Sequence, residues 1–169
     1  MTRLVLVRHA KAEAPRPALD DHDRALTLEG RSSAQALAQA LADAGVEIAV
    51  ALVSSAVRTQ QTWKLMEPTF DGAEAHTEES LYETHVGGVV GLLTALDTEG
   101  TVAVVGHEPT ISAAAAWLAG PGSDTKALQR IAHGLPTGTA ALLDFEGPLR
   151  ELGQNKAVLT AVCASHAHF

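Results

Sequence analysis

Three short runs, at 4–7, 48–53 and 101–105 and apolar but for Thr101 at the edge of the last, set the tightest limit on how this chain can fold. Each is unbroken, with no polar residue at alternate positions, which is the pattern of a strand covered on both faces. Helical spacing fills the gaps between them. Ala34, Leu37, Leu41 and Ala44 recur at intervals of three, four and three, predicting a helix that begins at Thr27 and stops at Gly45. Thr27 is a hydroxyl N-cap, and Glu29 in the first turn suits the positive end of the dipole. A second helix is expected over about 56–67, halted by Pro68. A third spans 86–96, its start weakened by Gly87, Gly88 and Gly91. A fourth has Pro109 in its first position and runs to about 119, closed by Gly120-Pro121-Gly122.

A weak strand is expected at 73–76 and further strands at 139–145 and 157–163; residues 10–26, rich in Pro and Asp, read as a long loop. The alternation predicts an α/β fold, a mainly parallel central sheet with helices on both faces. The last two strands have no helix between them and should pair antiparallel at an edge. No repeat or linker divides the chain, so residues 1–169 are expected to form a single domain.

Composition narrows the function classes. No apolar run approaches the roughly 20 residues a membrane span needs. The opening Met1-Thr2-Arg3 leads straight into the first strand, too short for a signal peptide, so a cytoplasmic protein is expected. Cys163 is the single cysteine, which leaves no internal disulfide and no cysteine-based zinc site. The net charge of −8 argues against a nucleic-acid partner. It also means that any anion site must be local, built from a few well-placed donors.

Open parallel sheets bind ligands at the carboxyl ends of their strands. Here those ends carry Arg8-His9, then Ser54-Ser55 with Arg58 one turn on, then Gly106-His107. Singly, an arginine on a helix or a histidine after a strand is commonplace; their convergence on one sheet edge is what carries a phosphoryl-transfer reading. Charge in that transition state spreads over three equatorial oxygens, so positioned cations do most of the catalysis. Arginine forks supply paired donors. His9 is a nucleophile only when neutral, which nearby positive charge favours, and a backbone carbonyl would have to hold its tautomer.

These residues match a known family. Leu6-Val7-Arg8-His9-Ala10-Lys11 resembles the nucleophile motif of the histidine phosphatase superfamily, and its Ala-Lys continuation is similar to the SixA-type phosphohistidine phosphatases. Val53-Ser54-Ser55 through Arg58-Thr59-Gln60-Gln61-Thr62 resembles the second motif and Val104-Val105-Gly106-His107-Glu108-Pro109 the third. Arg24-Ala25-Leu26-Thr27, Gly30 and Leu135-Pro136-Thr137-Gly138 resemble further segments of the same branch. Ala10 stands where most of the superfamily has glycine.

The resemblance implies a phosphoglycerate-mutase-like fold and a two-step reaction through a phosphohistidine on His9, cradled by Arg8, Arg58 and His107, with no metal or cofactor. Arg24 is either a further phosphate contact or the partner of Asp20, Asp21 or Asp23. Lys11 reads as solvated. Leu81-Tyr82-Glu83 resembles the segment that carries the general acid, which makes Glu83 the acid candidate, with Glu108 the weaker one. An alkyl ester needs such an acid, whereas a phosphorylated imidazole leaves with less help. The short chain leaves little for a roof, so an open, shallow site is expected. The substrate is then a phosphorylated protein, such as a phosphorelay component acting through phosphohistidine, or a small phosphorylated metabolite. The alternatives are a broader phosphatase for small esters or phosphoserine, phosphothreonine and phosphotyrosine, and a phosphopeptide-binding module without turnover. A mutase needs more enclosure than this length provides.

His22, His76, His85 and His133 read as surface or loop residues, with chance the better account of His85 following Glu83 closely. Trp63 and Trp117 read as core, and His166 and His168 as tail residues that could bind a metal adventitiously.

Overall fold

The computed structural model describes residues 1–165. Six strands form one sheet in the order β3-β2-β4-β1-β5-β6. They are β1 (Thr2–Arg8), β2 (Ile48–Ser54), β3 (Glu74–Glu78), β4 (Thr101–Gly106), β5 (Thr139–Phe145) and β6 (Val158–Ala164). β1, β2, β3 and β4 run parallel, while β5 is antiparallel to both β1 and β6. The fold is therefore α/β with an antiparallel edge.

The apolar runs work as two-sided strands. Leu4 and Leu6 of β1 with Val102 and Val104 of β4 enter one core, while Val5, Val7, Ala103 and Val105 enter the other. Helices α1 (Leu28–Asp43) and α2 (Val57–Met66) cover the second core through Leu37, Leu41, Trp63 and Met66. Helices α3 (Val86–Thr94), α4 (Thr110–Leu118) and α5 (Thr125–Ala132) cover the first through Leu93, Ile111 and Ile131. Side chains one residue apart on a strand face opposite ways, so a continuous apolar run is what two covered faces require. Trp63 is buried in its core and Trp117 packs half-buried against the other.

The differences from expectation are local. Helix α5 has no counterpart in the periodicity reading; it is a short helix started by the Asp124 side chain, which accepts from Ala127 N at 2.9 Å. Pro109 is the N-cap of α4 rather than its first residue. The weak strand lies at Glu74–Glu78, and the third helix ends at Thr94. Thr27 caps α1 as expected, accepting from Gly30 N at 2.9 Å. His166 and His168 lie outside the described residues.

Candidate active site

His9 follows the last residue of β1, and its backbone N–H donates to Gly106 O of β4 at 3.1 Å. That bond places His9 beside His107, with ring centroids 5.5 Å apart. Both lie at the carboxyl edge of the two central strands.

The tautomer of His9 is legible from its partner. Its Nδ1 is 2.7 Å from the carbonyl oxygen of Ala10, which can only accept. Nδ1 therefore carries the proton and the lone pair sits on Nε2. Burial, with Arg58, Arg8 and Arg24 adding positive charge, pushes the His9 pKa down to about 4 despite the opposing carbonyl bond. The imidazole is thus neutral at pH 7, as a nucleophile must be. His107 is held lower still, to about 3, mainly by burial and then by Arg58. Its Nε2 lies 2.8 Å from Ser54 Oγ at the end of β2.

Arg8 sends Nη1 to the Leu135 carbonyl at 2.8 Å. Leu135 is in turn held by its own N–H, which donates to Ser112 Oγ at 2.9 Å and Glu108 Oε2 at 3.2 Å. Glu108 also accepts from Ser112 N at 2.8 Å and from Ser112 Oγ at 2.6 Å. The same loop returns to the nucleophile, since Gly138 N donates to His9 O at 2.9 Å. Gly138 has φ +67, a conformation that favours glycine.

Arg58 is 6% exposed, on the first turn of α2. Its Nη1 donates to Asp21 O at 2.8 Å and its Nη2 to Asp21 Oδ2 at 3.0 Å. The rest of that motif is structural. Thr62 lies one turn beyond Arg58 on the same helix face. Its hydroxyl donates to Arg58 O at 2.7 Å and accepts from Ala10 N at 3.0 Å, tying the helix to the residue after His9. Gln61 Oε1 accepts from Leu26 N at 2.7 Å and anchors the long loop.

Asp21 sits in a one-turn 3-10 segment, Asp21–Asp23, of that loop. Besides Arg58 it receives Arg24 Nε at 2.9 Å and the Tyr82 hydroxyl at 2.6 Å. These donors hold its carboxyl below the usual carboxylate range, the Tyr82 bond contributing most. Of the two readings of Arg24, the pairing with Asp21 forms, yet Arg24 is also close enough to depress both histidines. Glu83, the acid candidate, is exposed and makes no hydrogen bond to this cluster. Its neighbour Tyr82 is the one that reaches in, its ring centroid 5.7 Å from that of His107. Glu108 is fully engaged as an acceptor. Lys11 is exposed and paired with Glu29 at 3.0 Å.

The sequence offers Asp21 only as a partner for Arg24, His22 as a surface residue and Tyr82 as a neighbour of Glu83, and gives none of them a place at the site. His22 is a rim residue, with Nε2 2.9 Å from Ser55 Oγ and its ring edge-on to Tyr82 at 4.8 Å. Available signals were the density of acidic residues just before Arg24 and the lone tyrosine beside Glu83. A concavity of about 930 Å³ lies elsewhere, at the opposite ends of the strands around Arg3, Ile48, Phe70 and Thr101. Its arginine is already paired with Asp144 at 2.9 Å, and the histidine cluster is absent from it. We therefore place the chemistry at the histidine edge. Among the described residues, no group of three or more His, Cys, Asp or Glu stands together to hold a metal ion. None of their helices is long and apolar enough to cross a membrane.

The sequence signature of the histidine phosphatase superfamily (branch 1) matches residues 4–99. An uncharacterised protein of Mycobacterium leprae (strain TN) is 35% identical over 161 residues, covering 92% of this chain and 97% of its own length. A solved Nakamurella multipartitia structure, named for the phosphohistidine phosphatase SixA, is 33% identical with TM-score 0.82, over 95% of this chain and 94% of that one. A phosphoglycerate mutase from Plasmodium falciparum shares the fold, at TM-score 0.61 and 20% identity over 95% of this chain and 89% of that one.

Proposed function

Because this chain belongs to the histidine phosphatase superfamily, we propose that it removes phosphate from phosphohistidine in proteins, with His9 Nε2 as the nucleophile. One observation carries the reading. Among the described residues, the buried side-chain nitrogen and oxygen atoms without a hydrogen-bond partner are Arg8 Nε, Arg58 Nε and His107 Nδ1. Unpaired buried polar atoms are costly and rare, and here all three surround one neutral histidine. A phosphoryl group brings the acceptor oxygens that such a cluster lacks.

In the first step Nε2 attacks phosphorus and the bond from phosphorus to the substrate's imidazole nitrogen breaks; the substrate ring, already protonated on its other nitrogen, leaves as neutral imidazole. In the second, water attacks the phosphohistidine on His9, releasing inorganic phosphate and returning the lone pair to Nε2. Arg8 and Arg58 stabilise the equatorial oxygens in both steps with the positive charge that a metal ion brings in other phosphatases, and the unpartnered His107 Nδ1 adds a hydrogen bond.

The choice of phosphohistidine rests on the missing acid. Glu83 is exposed outside the cluster, Glu108 is committed to Ser112 and Leu135, and Asp21 is held ionised. A site without a proton donor for an alkoxide suits a substrate whose leaving group is already good. The chain between Arg58 and His107 is taken up by the end of α2, β3, α3 and β4, which leaves no inserted domain to enclose a metabolite. A phosphorylated side chain presented by another cytoplasmic protein, such as a phosphorelay component, fits that short rim.

The test is phosphate release, with a chelator present, from a phosphohistidine protein, phosphoserine and phosphotyrosine peptides and a small ester. Preferential release from phosphohistidine is expected, with His9→Ala lowering it by at least about a thousandfold. Faster release from the esters would move the assignment to a broad phosphatase.

A further inference from the structure

We propose that Asp21 is a positioning residue, a carboxylate spacer that holds the guanidinium groups of Arg58 and Arg24 together at the oxyanion site. The inference rests on the phosphatase reading of that site, though not on which phosphorylated side chain it serves.

Two like charges meet at this edge of the site. Arg58 and Arg24 both act on the His9 and His107 rings, so both cations crowd one small region. Guanidinium groups in such proximity repel unless an anion lies between them. Asp21 supplies it, with Oδ1 bonded to Arg24 Nε and Oδ2 to Arg58 Nη2. Its backbone carbonyl takes a second bond from Arg58, through Nη1, so the fork is held at two points.

This grip leaves donors free. Arg58 has five N–H bonds, and Asp21 uses one from each Nη, so the Nε hydrogen and the second hydrogen on each Nη remain for phosphoryl oxygens. Arg24 is fixed at its far side as well, its Nη1 bonded to Glu13 O at 2.8 Å. Tyr82 completes the clamp by donating to Oδ2 while Arg58 lies 5.9 Å from its ring centroid. Asp21 is itself half-exposed, so its place comes from these bonds and not from burial.

The sign of the effect makes the proposal testable. Asp21→Asn removes a negative charge beside an anion site, and on electrostatics alone oxyanion binding should tighten. The spacer role demands the reverse. Tungstate or inorganic phosphate binding to the purified chain, followed by titration calorimetry, should weaken by about tenfold in Asp21→Asn, the size expected for a lost charge-assisted clamp. Turnover should fall through kcat more than KM, because a misaligned fork fails the transition state most. Asp21→Glu should restore part of both. Tyr82→Phe keeps the ring and loses one donor to Oδ2, so a smaller loss of the same sign is expected. That variant also decides the matter if Asp21→Asn fails to fold. Unchanged or tighter oxyanion binding in the folded variants overturns the proposal. Because binding is read without turnover, absence of phosphohistidine hydrolysis in the unsubstituted protein would sink the functional assignment and leave this comparison standing.

Discussion

Arg8 and Arg58 serve the same site but are braced by different kinds of structure. Arg8 leans on a backbone carbonyl, that of Leu135, fixed from behind by Glu108 and the buried Ser112. Arg58 leans on both the carboxylate and the backbone carbonyl of Asp21, a residue that stands half in solvent on a loop. The inner brace is assembled with the core and is as stiff as the core. The outer one can let go without unfolding anything. A site that must grip a phosphoryl group and then release phosphate gains from having one immovable wall and one that yields.

Acid challenges what the two braces share, the pair of neutral histidines. His9 is depressed to about 4 and His107 to about 3, below the unfolded value near 6.5. As pH falls below 6.5 the unfolded chain takes up protons that the folded site refuses. Their contribution to stability is therefore complete above 6.5 and lost progressively down to the folded pKa values. Denaturation midpoints measured from pH 7 to pH 4 should drop steadily, and His9→Asn should flatten that slope. An unaltered slope would mean that His9 is not buried neutral.

The next effect separates the braces. Glu108→Ala strips the acceptor from Ser112 N, Ser112 Oγ and Leu135 N and should cost about 2 kcal/mol, the penalty for orphaning buried donors. Asp21→Ala, at a half-exposed position, should stay within about 0.5 kcal/mol while still impairing oxyanion binding. Equal losses in urea denaturation would erase the distinction between them. Hydrogen exchange provides a smaller contrast, with the Leu135 and Gly138 amides exchanging at least about tenfold more slowly than those of Asp23 and Arg24. The smallest is salt. Raising ionic strength to about 1 M, where screening acts within a few ångströms, should loosen the loop amides near Asp21 and leave those near Leu135 unchanged.

Legibility in the sequence follows the same division. Long apolar runs and strand-end residues are local signals, so the sheet, four of its helices and the cluster of Arg8, His9, Arg58 and His107 could be read directly. Helix α5 was missed because eight residues are too few for a convincing period. The braces were missed for another reason. Whether a carboxylate serves as acid or strut depends on what it faces, and spacing says nothing of that. Glu83 had the motif position and is exposed without a bond to the cluster, while Tyr82 next to it donates to Asp21. Glu108 looked like a spare acid and proved to be the strut behind Arg8. His22 looked like surface and became part of the rim.

The pairing of β1 with β4 on one side and β5 on the other has a consequence for how the protein comes into being. His9 directly follows β1, yet both strands that pair with β1 lie far along the chain, β4 at Thr101–Gly106 and β5 at Thr139–Phe145. A chain made only as far as Gly100 carries His9 and Arg58 but has neither β4 nor β5, neither His107 nor the Leu135 carbonyl. Domains fold as units as the ribosome completes them. The site is therefore assembled by long-range strand pairing, and a chain that stops before β4 cannot hold it together.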